Sequence, residues 1–259
     1  MIKILYYRFR SLIRLFMFLF LIIMLSSCST SRKTNPESET PTVINTHQDA
    51  EGIKVELHFT KGKSFNHPLM AAWVETEDGE YMQTLYVAES IAKGVFGYGD
   101  KSSGKWMPGE IRRPATLPYW SHKRGVQEAD GLFIPTAKTP MPDAVTSATP
   151  KGNFVLHSVI DNKGQQRFKV LFEINQSWDW NEYWTNNKFP DDQEYKTSSQ
   201  PAVVYAVTVD INDIKDKYTL EAIGHSHHSG TNGKLFSDLS TLTTAMQISK
   251  EISMLLKKK

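Results

Sequence analysis

From Ile53 onward, apolar side chains recur at every second position. Ile53, Val55, Leu57 and Phe59 alternate with Lys54, Glu56 and His58, the period of a strand with one buried face. The same pattern predicts strands over 69–76 and 81–87, flanking Glu77-Asp78-Gly79-Glu80; an Asp-Gly pair favours a tight hairpin because both turn positions tolerate positive φ. Strands over 154–160 and 167–175 repeat the arrangement around Asp161-Asn162-Lys163-Gly164, and 202–210 with 217–224 make a further pair joined by the polar INDIKDK stretch. Near the end, Ser237–Lys250 reads as a short helix after Asp238, with 251–256 either a last strand or a continuation of that helix. Between 89 and 150 the pattern fails. That stretch is rich in Pro and Gly and carries Trp106, Tyr119 and Trp120; a loop so long inside a domain is functional or packed by its own aromatic residues. The expected fold is all-β: an antiparallel β-sandwich with a long irregular loop insertion and a short C-terminal helix.

The amino terminus follows a different rule. Residues 1–14 carry Lys3, Arg8, Arg10 and Arg14 and no acid, and Leu15–Leu25 is an unbroken run of 11 apolar residues. As a helix this run spans roughly 16 Å, about half of a hydrocarbon core of ~30 Å, the length of a signal-peptide apolar segment. Leu25-Ser26-Ser27-Cys28 follows and resembles a bacterial lipobox, which implies a lipid-anchored, extracytoplasmic, periplasm-facing protein acylated at Cys28. Residues 29–50 are rich in Ser, Thr, Asn, Pro and charge and read as a flexible tether. The expected organisation is therefore a signal peptide over 1–27, a tether over 28–50, one β-sandwich domain over 51–256 and a basic tail over 257–259.

Charge and cysteine content narrow the classes. The whole chain of 259 residues is formally +2, but without residues 1–27 it holds 26 basic and 28 acidic side chains. That slightly acidic body lacks the basic footprint of a nucleic-acid binder. A single cysteine, Cys28, leaves no disulfide framework and no thiolate metal site.

Three segments carry candidate chemistry. Asp143-Ala144-Val145-Thr146-Ser147-Ala148-Thr149 resembles the flavinylation motif of extracytoplasmic FMN-binding domains: Asp, a small residue, any residue, Ser/Thr, Gly, Ala, Thr. The resemblance implies FMN joined through its phosphate to Thr149, with Asp143 and Thr146 as the other motif residues. Ser147 departs from the expected Gly, and Pro150 follows directly. Without the resemblance, the segment is a tight small-residue turn into the strand at Phe154. In Gly224-His225-Ser226-His227-His228-Ser229-Gly230, an extended chain puts His225 and His227 on one face roughly 6.6 Å apart. They would share a divalent metal with a third ligand drawn from His228, His157, His58 or Asp238, or sit as solvated groups at a strand-end turn. In the third segment, Phe168, Val170, Phe172, Ile174, Trp178 and Trp180 share one parity, and Glu173, Asn175, Ser177 and Asp179 the other. Acids with tryptophans suit sugar stacking or a glycosidase pair; the plain alternative is a core stripe with a solvated outer face. No nucleophile-elbow serine, Walker loop, Rossmann glycine fingerprint or zincin pattern is present, so the chain is read as a non-enzyme.

Taken together, PLMAAWVETEDGEYMQTLYV (68–87), LPYWSHKRG (117–125), DAVTSATPKGNF (143–154), EINQSWDWNEYW (173–184) and GHSHHSGTNGKLFSDLSTLTTA (224–245) resemble the periplasmic domain of unknown function twenty-two seventy-one, over nearly all of residues 50–256. The turn after ATPKG is similar to the immunoglobulin-like segment of flagellar hook-cap proteins, an analogy of fold alone. The resemblance implies a secreted, immunoglobulin-like β-sandwich that accompanies PepSY-type membrane proteins and flavin-transfer machinery. The function expected from all of this is a lipid-anchored accessory or binding module of a membrane redox system. The alternatives are a covalent FMN carrier modified at Thr149, and a metal- or sugar-binding module.

Overall fold

The computed structural model describes residues 40–257, which belong to one compact unit beginning at Thr40. The segment expected to be a signal peptide, the lipobox-like stretch with Cys28, residues 29–39 and the last two lysines lie outside the described residues.

The period-two segments form strands that stack as two sheets. One has five strands in the spatial order β1 (Thr42–Asn45), β8 (Phe154–Ile160), β2 (Ile53–Lys61), β13 (Ser249–Lys257), β11 (Tyr218–Thr219). The other has six, in the order β12 (Glu221–His225), β10 (Val203–Asp210), β9 (Arg167–Asn175), β3 (Leu69–Thr76), β4 (Tyr81–Ala88), β7 (Thr146–Ser147). A separate hairpin pairs β5 (Val95–Asp100) with β6 (Met107–Glu110). The fold is all-β and sandwich-like. Val55, Leu57, Phe59, Leu156 and Ile252 of the first sheet meet Met70, Ala72, Val170, Phe172 and Ile174 of the second in one buried cluster. At its centre Phe59 stacks on Phe154 at 5.0 Å and on Phe172 at 5.8 Å, so three rings join the sheets. Each such pair contributes about 0.5–1.5 kcal/mol beyond the area it buries.

Several expectations change in detail. β3, β8 and β9 coincide with the predicted strands, yet β8 and β9 do not pair: the Asp161–Gly164 turn carries the chain from one sheet to the other. The pairing of 202–210 with 217–224 is split, with β12 on β10 and β11 on β13. Two contacts are parallel, β1 with β8 and β4 with β7, within otherwise antiparallel sheets. The helix expected over 237–250 shrinks to a 3-10 turn at Ala245–Gln247, and β13 takes over from Ser249. Ile248, Ile252 and Met254 are needed in the core, and the ladder with β2 supplies their backbone partners. The ordered chain also starts before the tether was expected to end: Ile44 is buried within β1. Lys257 ends β13 rather than starting a free tail, with its ammonium 2.6 Å from Glu56.

The six-stranded sheet is buried on both faces. Its outer parity carries Leu69, Ala71, Trp73, Val87, Leu171 and Val204, which pack against Ile91, Leu117, Trp120, Ile134 and Val145. These roofing residues come from the 89–150 stretch, which folds into α1 (Glu89–Lys93), α2 (Pro118–Arg124) and a 3-10 turn at Asp143–Val145. The long loop is a third layer.

If β1 is part of the fold, Ile44→Ala should lower unfolding free energy by about 2–4 kcal/mol, as for other buried aliphatic truncations. Urea denaturation checks this; a loss under about 0.5 kcal/mol, the range of surface substitutions, would return residues 42–45 to the tether.

Candidate functional site

The polar row that parity sends to the outer face of β9 is not solvated. Glu173 is 0 % exposed, because the roof lies directly over it. Its carboxyl accepts from the backbone N–H groups of Trp120 at 2.7 Å and Tyr119 at 3.2 Å, in the first turn of α2. No side chain caps that helix locally, so a residue from the sheet satisfies its free donors. Burial pushes the Glu173 carboxyl from 4.5 up to about 8, against the two backbone donors and a hydrogen bond with Ser226. Beside it on the same face, Glu75 accepts from Trp73 Nε1 at 2.8 Å and lies 3.6 Å from the Lys123 ammonium; burial raises its carboxyl too. Trp120 Nε1 donates to Thr84 Oγ1 at 2.9 Å.

Ser226 brings in the histidine segment. β12 ends at His225, which bridges to Phe236 through two backbone hydrogen bonds of 2.8 and 2.9 Å. The chain then turns at Gly230, whose φ of +74° and closeness to the Pro114 carbonyl, 2.1 Å from where a Cβ would stand, admit only glycine. The three imidazoles stack rather than converge. His225 lies on Phe236 at 5.3 Å, His227 on His228 at 4.3 Å and His228 on Phe189 at 4.1 Å. His225 Nδ1–H donates to the Ser226 carbonyl at 2.8 Å, while His227 Nδ1 accepts from Ser229 N at 3.2 Å. His228 Nε2 stands 3.9 Å from Asp192, and burial with the neighbouring His227 lowers it to about 4. Among the described residues no three His, Cys, Asp or Glu side chains form a metal-ligand group. Of the other ligands considered, His58 and His157 face Glu56 at 2.8 and 3.7 Å, while Asp238, near His225, accepts from Ser240 N at 2.9 Å. The sequence spacing was right for a strand, but the strand stops at His225.

Past Asn175 the chain leaves the sheet, so the parity that placed Trp178 and Trp180 in the core no longer applies. Trp178 takes a φ of +56°, in the left-handed region that a bulky residue rarely adopts. It is 61 % exposed, and Trp180 and Tyr183 are exposed beside it in sequence. The backbone beneath them is fixed. Trp178 N and Asp179 N donate to Thr197 and Ser198 carbonyls, each at 3.1 Å. Asp179 accepts a short hydrogen bond from Thr244. Asn181 Oδ1 accepts from Tyr183 N at 2.9 Å and Trp184 N at 2.7 Å, and its amide donates to Thr241 O at 2.9 Å and Gln200 Oε1 at 3.1 Å. Cations sit on the rings: Arg113 lies 5.8 Å from the Trp178 centroid and 4.5 Å from Phe96, and Lys188 3.1 Å from Tyr183, within the range of cation–π attraction. A neighbouring open cleft of about 630 Å³ is lined by Lys188, Phe189, Asp192 and Thr231 among others. Asn181, Gln200, Arg113, Lys188 and Phe189 were not identified from sequence. Only Asn181 carries a local signal, an amide two and three residues before N–H groups it can accept from.

The flavinylation-like motif lies at α1. Asp143 starts the 3-10 turn, Thr146 pairs with Val87, and Thr149 lines a cleft of about 280 Å³ with Glu89, Ser90, Lys93, Val95 and Gly97. Lys93 lies 3.1 Å from Asp143 and 2.8 Å from Glu89. Of the five stretches, 68–87 supplies β3 and β4, 143–154 adds β7 to their sheet before starting β8 in the other, 117–125 forms α2, and 173–184 meets 224–245 at Glu173 and Ser226. Compared with family models, curated proteins and solved structures, the chain finds no match.

A raised Glu173 has a defined pH signature. The unfolded chain releases this proton near pH 4.5 and the folded one near 8, so its contribution to stability is complete below 4.5 and is lost as pH rises through 8. Between pH 5 and 9 the wild type should therefore lose stability, on the order of a few kcal/mol, relative to Glu173→Gln. Parallel pH profiles of the two proteins in chemical denaturation would contradict the assignment.

Proposed function

We propose that the chain is a lipid-anchored extracytoplasmic binding module, not an enzyme, that serves as an accessory to a membrane redox system of the flavin-transfer or PepSY type. The observation that carries this reading is the ledge of Trp178, Trp180 and Tyr183. Three large amphipathic rings are held out on a hydrogen-bonded backbone, and Arg113 and Lys188 lie against two of them. Truncated Trp, Tyr and Arg side chains dominate the cost at binding surfaces, at 2 kcal/mol or more each in the strongest cases. The backbone order of the ledge also lowers the entropy lost on binding. The lipobox-like Leu25-Ser26-Ser27-Cys28 and the resemblance to the periplasmic domain of unknown function twenty-two seventy-one support the location and the redox association. The tagged mature chain should recover an integral membrane redox protein from solubilised membranes, identified by mass spectrometry. The combined Trp178→Ala, Trp180→Ala, Tyr183→Ala variant should recover at least about tenfold less. Equal recovery by both, or no copurifying membrane protein, counts against the reading.

A second reading, favoured by the setting of Thr149, is a covalent FMN carrier; bound FMN would supply one- and two-electron transfer. The Thr149 side chain is half-exposed on an open cleft that also holds Lys93, so a hydroxyl is placed to carry a phosphoester, beside a cation that Glu89 and Asp143 already pair. Against ready modification stand Ser147 and the buried Pro150. Coexpression with a flavin transferase followed by intact-mass measurement should give the FMN increment on the wild type and none on Thr149→Ala. No increment on the wild type, or its persistence in the variant, removes Thr149 as the site.

A further inference from the structure

The β5–β6 hairpin has no role in either reading, and its composition is unlike that of an idle loop. Tyr98 is 76 % exposed, Trp106 60 % and Met107 50 %, and every residue from Gly97 to Pro108 except Gly99 is exposed. A Cβ placed on Gly97 or Gly104 would meet nothing within 4 Å, so the ribbon stands clear of the body. Its base is firm. Phe96 packs on the roof cluster and under Arg113, and Ile111 N donates to Gly94 O at 3.0 Å. Gly99 and Gly109 let the two backbones approach so closely that a Cβ on Gly99 would lie 2.2 Å from Gly109 O. The Asp100 carboxylate is folded back onto Ser102, accepting from its N–H at 2.8 Å and its hydroxyl at 3.0 Å. Lys101 and Lys105 form no ion pair among the described residues.

We propose that this hairpin is a membrane-contact element that lays Tyr98, Trp106 and Met107 into the headgroup region of a bilayer, with Lys101 and Lys105 on anionic lipid phosphates. Trp and Tyr prefer this interface because one end of the ring system is apolar and the other polar, and Lys extends its charge to the headgroups. A lipid surface suits the shape. The three side chains ride a narrow two-stranded ribbon, which offers too little area for a stable protein interface of 1,200–2,000 Å². It suits the charge at the tip, since Lys101 and Lys105 bracket the turn, while of the hairpin's two acids Asp100 is turned onto Ser102 and Glu110 lies opposite Val95 at the base. The hairpin's affinity for lipid does not depend on acylation at Cys28.

The test uses residues 40–259 without any lipid anchor, a segment that holds both sheets and both buried clusters. Binding is measured by cosedimentation with vesicles of two parts phosphatidylcholine to one part phosphatidylglycerol, and with phosphatidylcholine alone. The wild type should bind the mixed vesicles, with a blue shift in tryptophan emission that Trp106→Phe removes. The combined Tyr98→Ala, Trp106→Ala, Met107→Ala variant should bind at least about tenfold less. Lys101→Ala with Lys105→Ala should lose about fivefold per lysine on the mixed vesicles and little on phosphatidylcholine. Unchanged thermal unfolding of these surface variants verifies that folding is intact. The Trp178, Trp180, Tyr183 variant should bind lipid as the wild type does, which separates this element from the ledge. No wild-type binding to protein-free vesicles, equal binding by the hairpin variant, or loss only in the ledge variant would overturn the proposal.

Discussion

A carboxyl group with no access to water must be met by donors or keep its proton, and at Glu173 both happen. That residue sits on a central strand of the six-stranded sheet with the first turn of α2 above it and Ser226 beside it. The placement of the third layer follows from this one contact. α2 has backbone N–H groups that no local side chain caps, and the acid that meets them, Glu173, belongs to the sheet. Each partner therefore satisfies a group that the other would leave buried and unpaired, the condition under which polar burial costs most. Around the contact the apolar surfaces of Trp73, Trp120 and Leu171 close the layer.

The histidine segment depends on the same arrangement. Gly230 lies against Pro114, and a Cβ on Gly233 would stand 2.3 Å from the His122 side chain. The loop after β12 is thereby threaded along the roof, and its imidazoles are spent on stacking with Phe189 and Phe236. The stacked rings reach the Lys188–Asp192 cleft through Phe189, on which His228 lies. The ledge of Trp178, Trp180 and Tyr183 begins on the other side of Trp184, whose ring contacts His225 and His228 at 6.1 and 6.0 Å. Through Tyr183, 5.2 Å from Trp184, the segment read for sugar touches the one read for metal.

The legibility of this protein was uneven for physical reasons. Strands over 69–76, 154–160 and 167–175 could be read because period-two burial is a local signal. Which sheet each joined could not, since the Asp161–Gly164 turn reads the same whether it closes a hairpin or crosses between layers. The outer row of β9 looked solvated because alternation reports only that a second face exists. What covers that face is a segment more than fifty residues upstream, with no period of its own. Trp178 and Trp180 were assigned by extending a parity beyond the strand that justified it, and the left-handed turn at Trp178 broke the register. β1 was hidden in a polar run because an edge strand of four residues needs only one buried side chain, Ile44. The flavinylation-like motif was legible as a string, and its setting at α1 with Lys93 was not, because that lysine is brought in by a different element.

The first described residues also have a mechanical meaning. Thr42 N donates to Asn153 O and Thr46 N to His157 O, each at 2.9 Å, and Thr46 Oγ1 donates to Ser158 Oγ at 2.9 Å; all three acceptors belong to β8 or the residue before it. One residue later His47 Nε2–H donates across to Thr84 O of the opposite sheet at 2.9 Å. A pull transmitted along the chain from the amino-terminal side therefore meets β8 first, at Thr42, and reaches the link to the opposite sheet only at His47, past the end of β1. The edge strand and the second layer are engaged in series, one after the other.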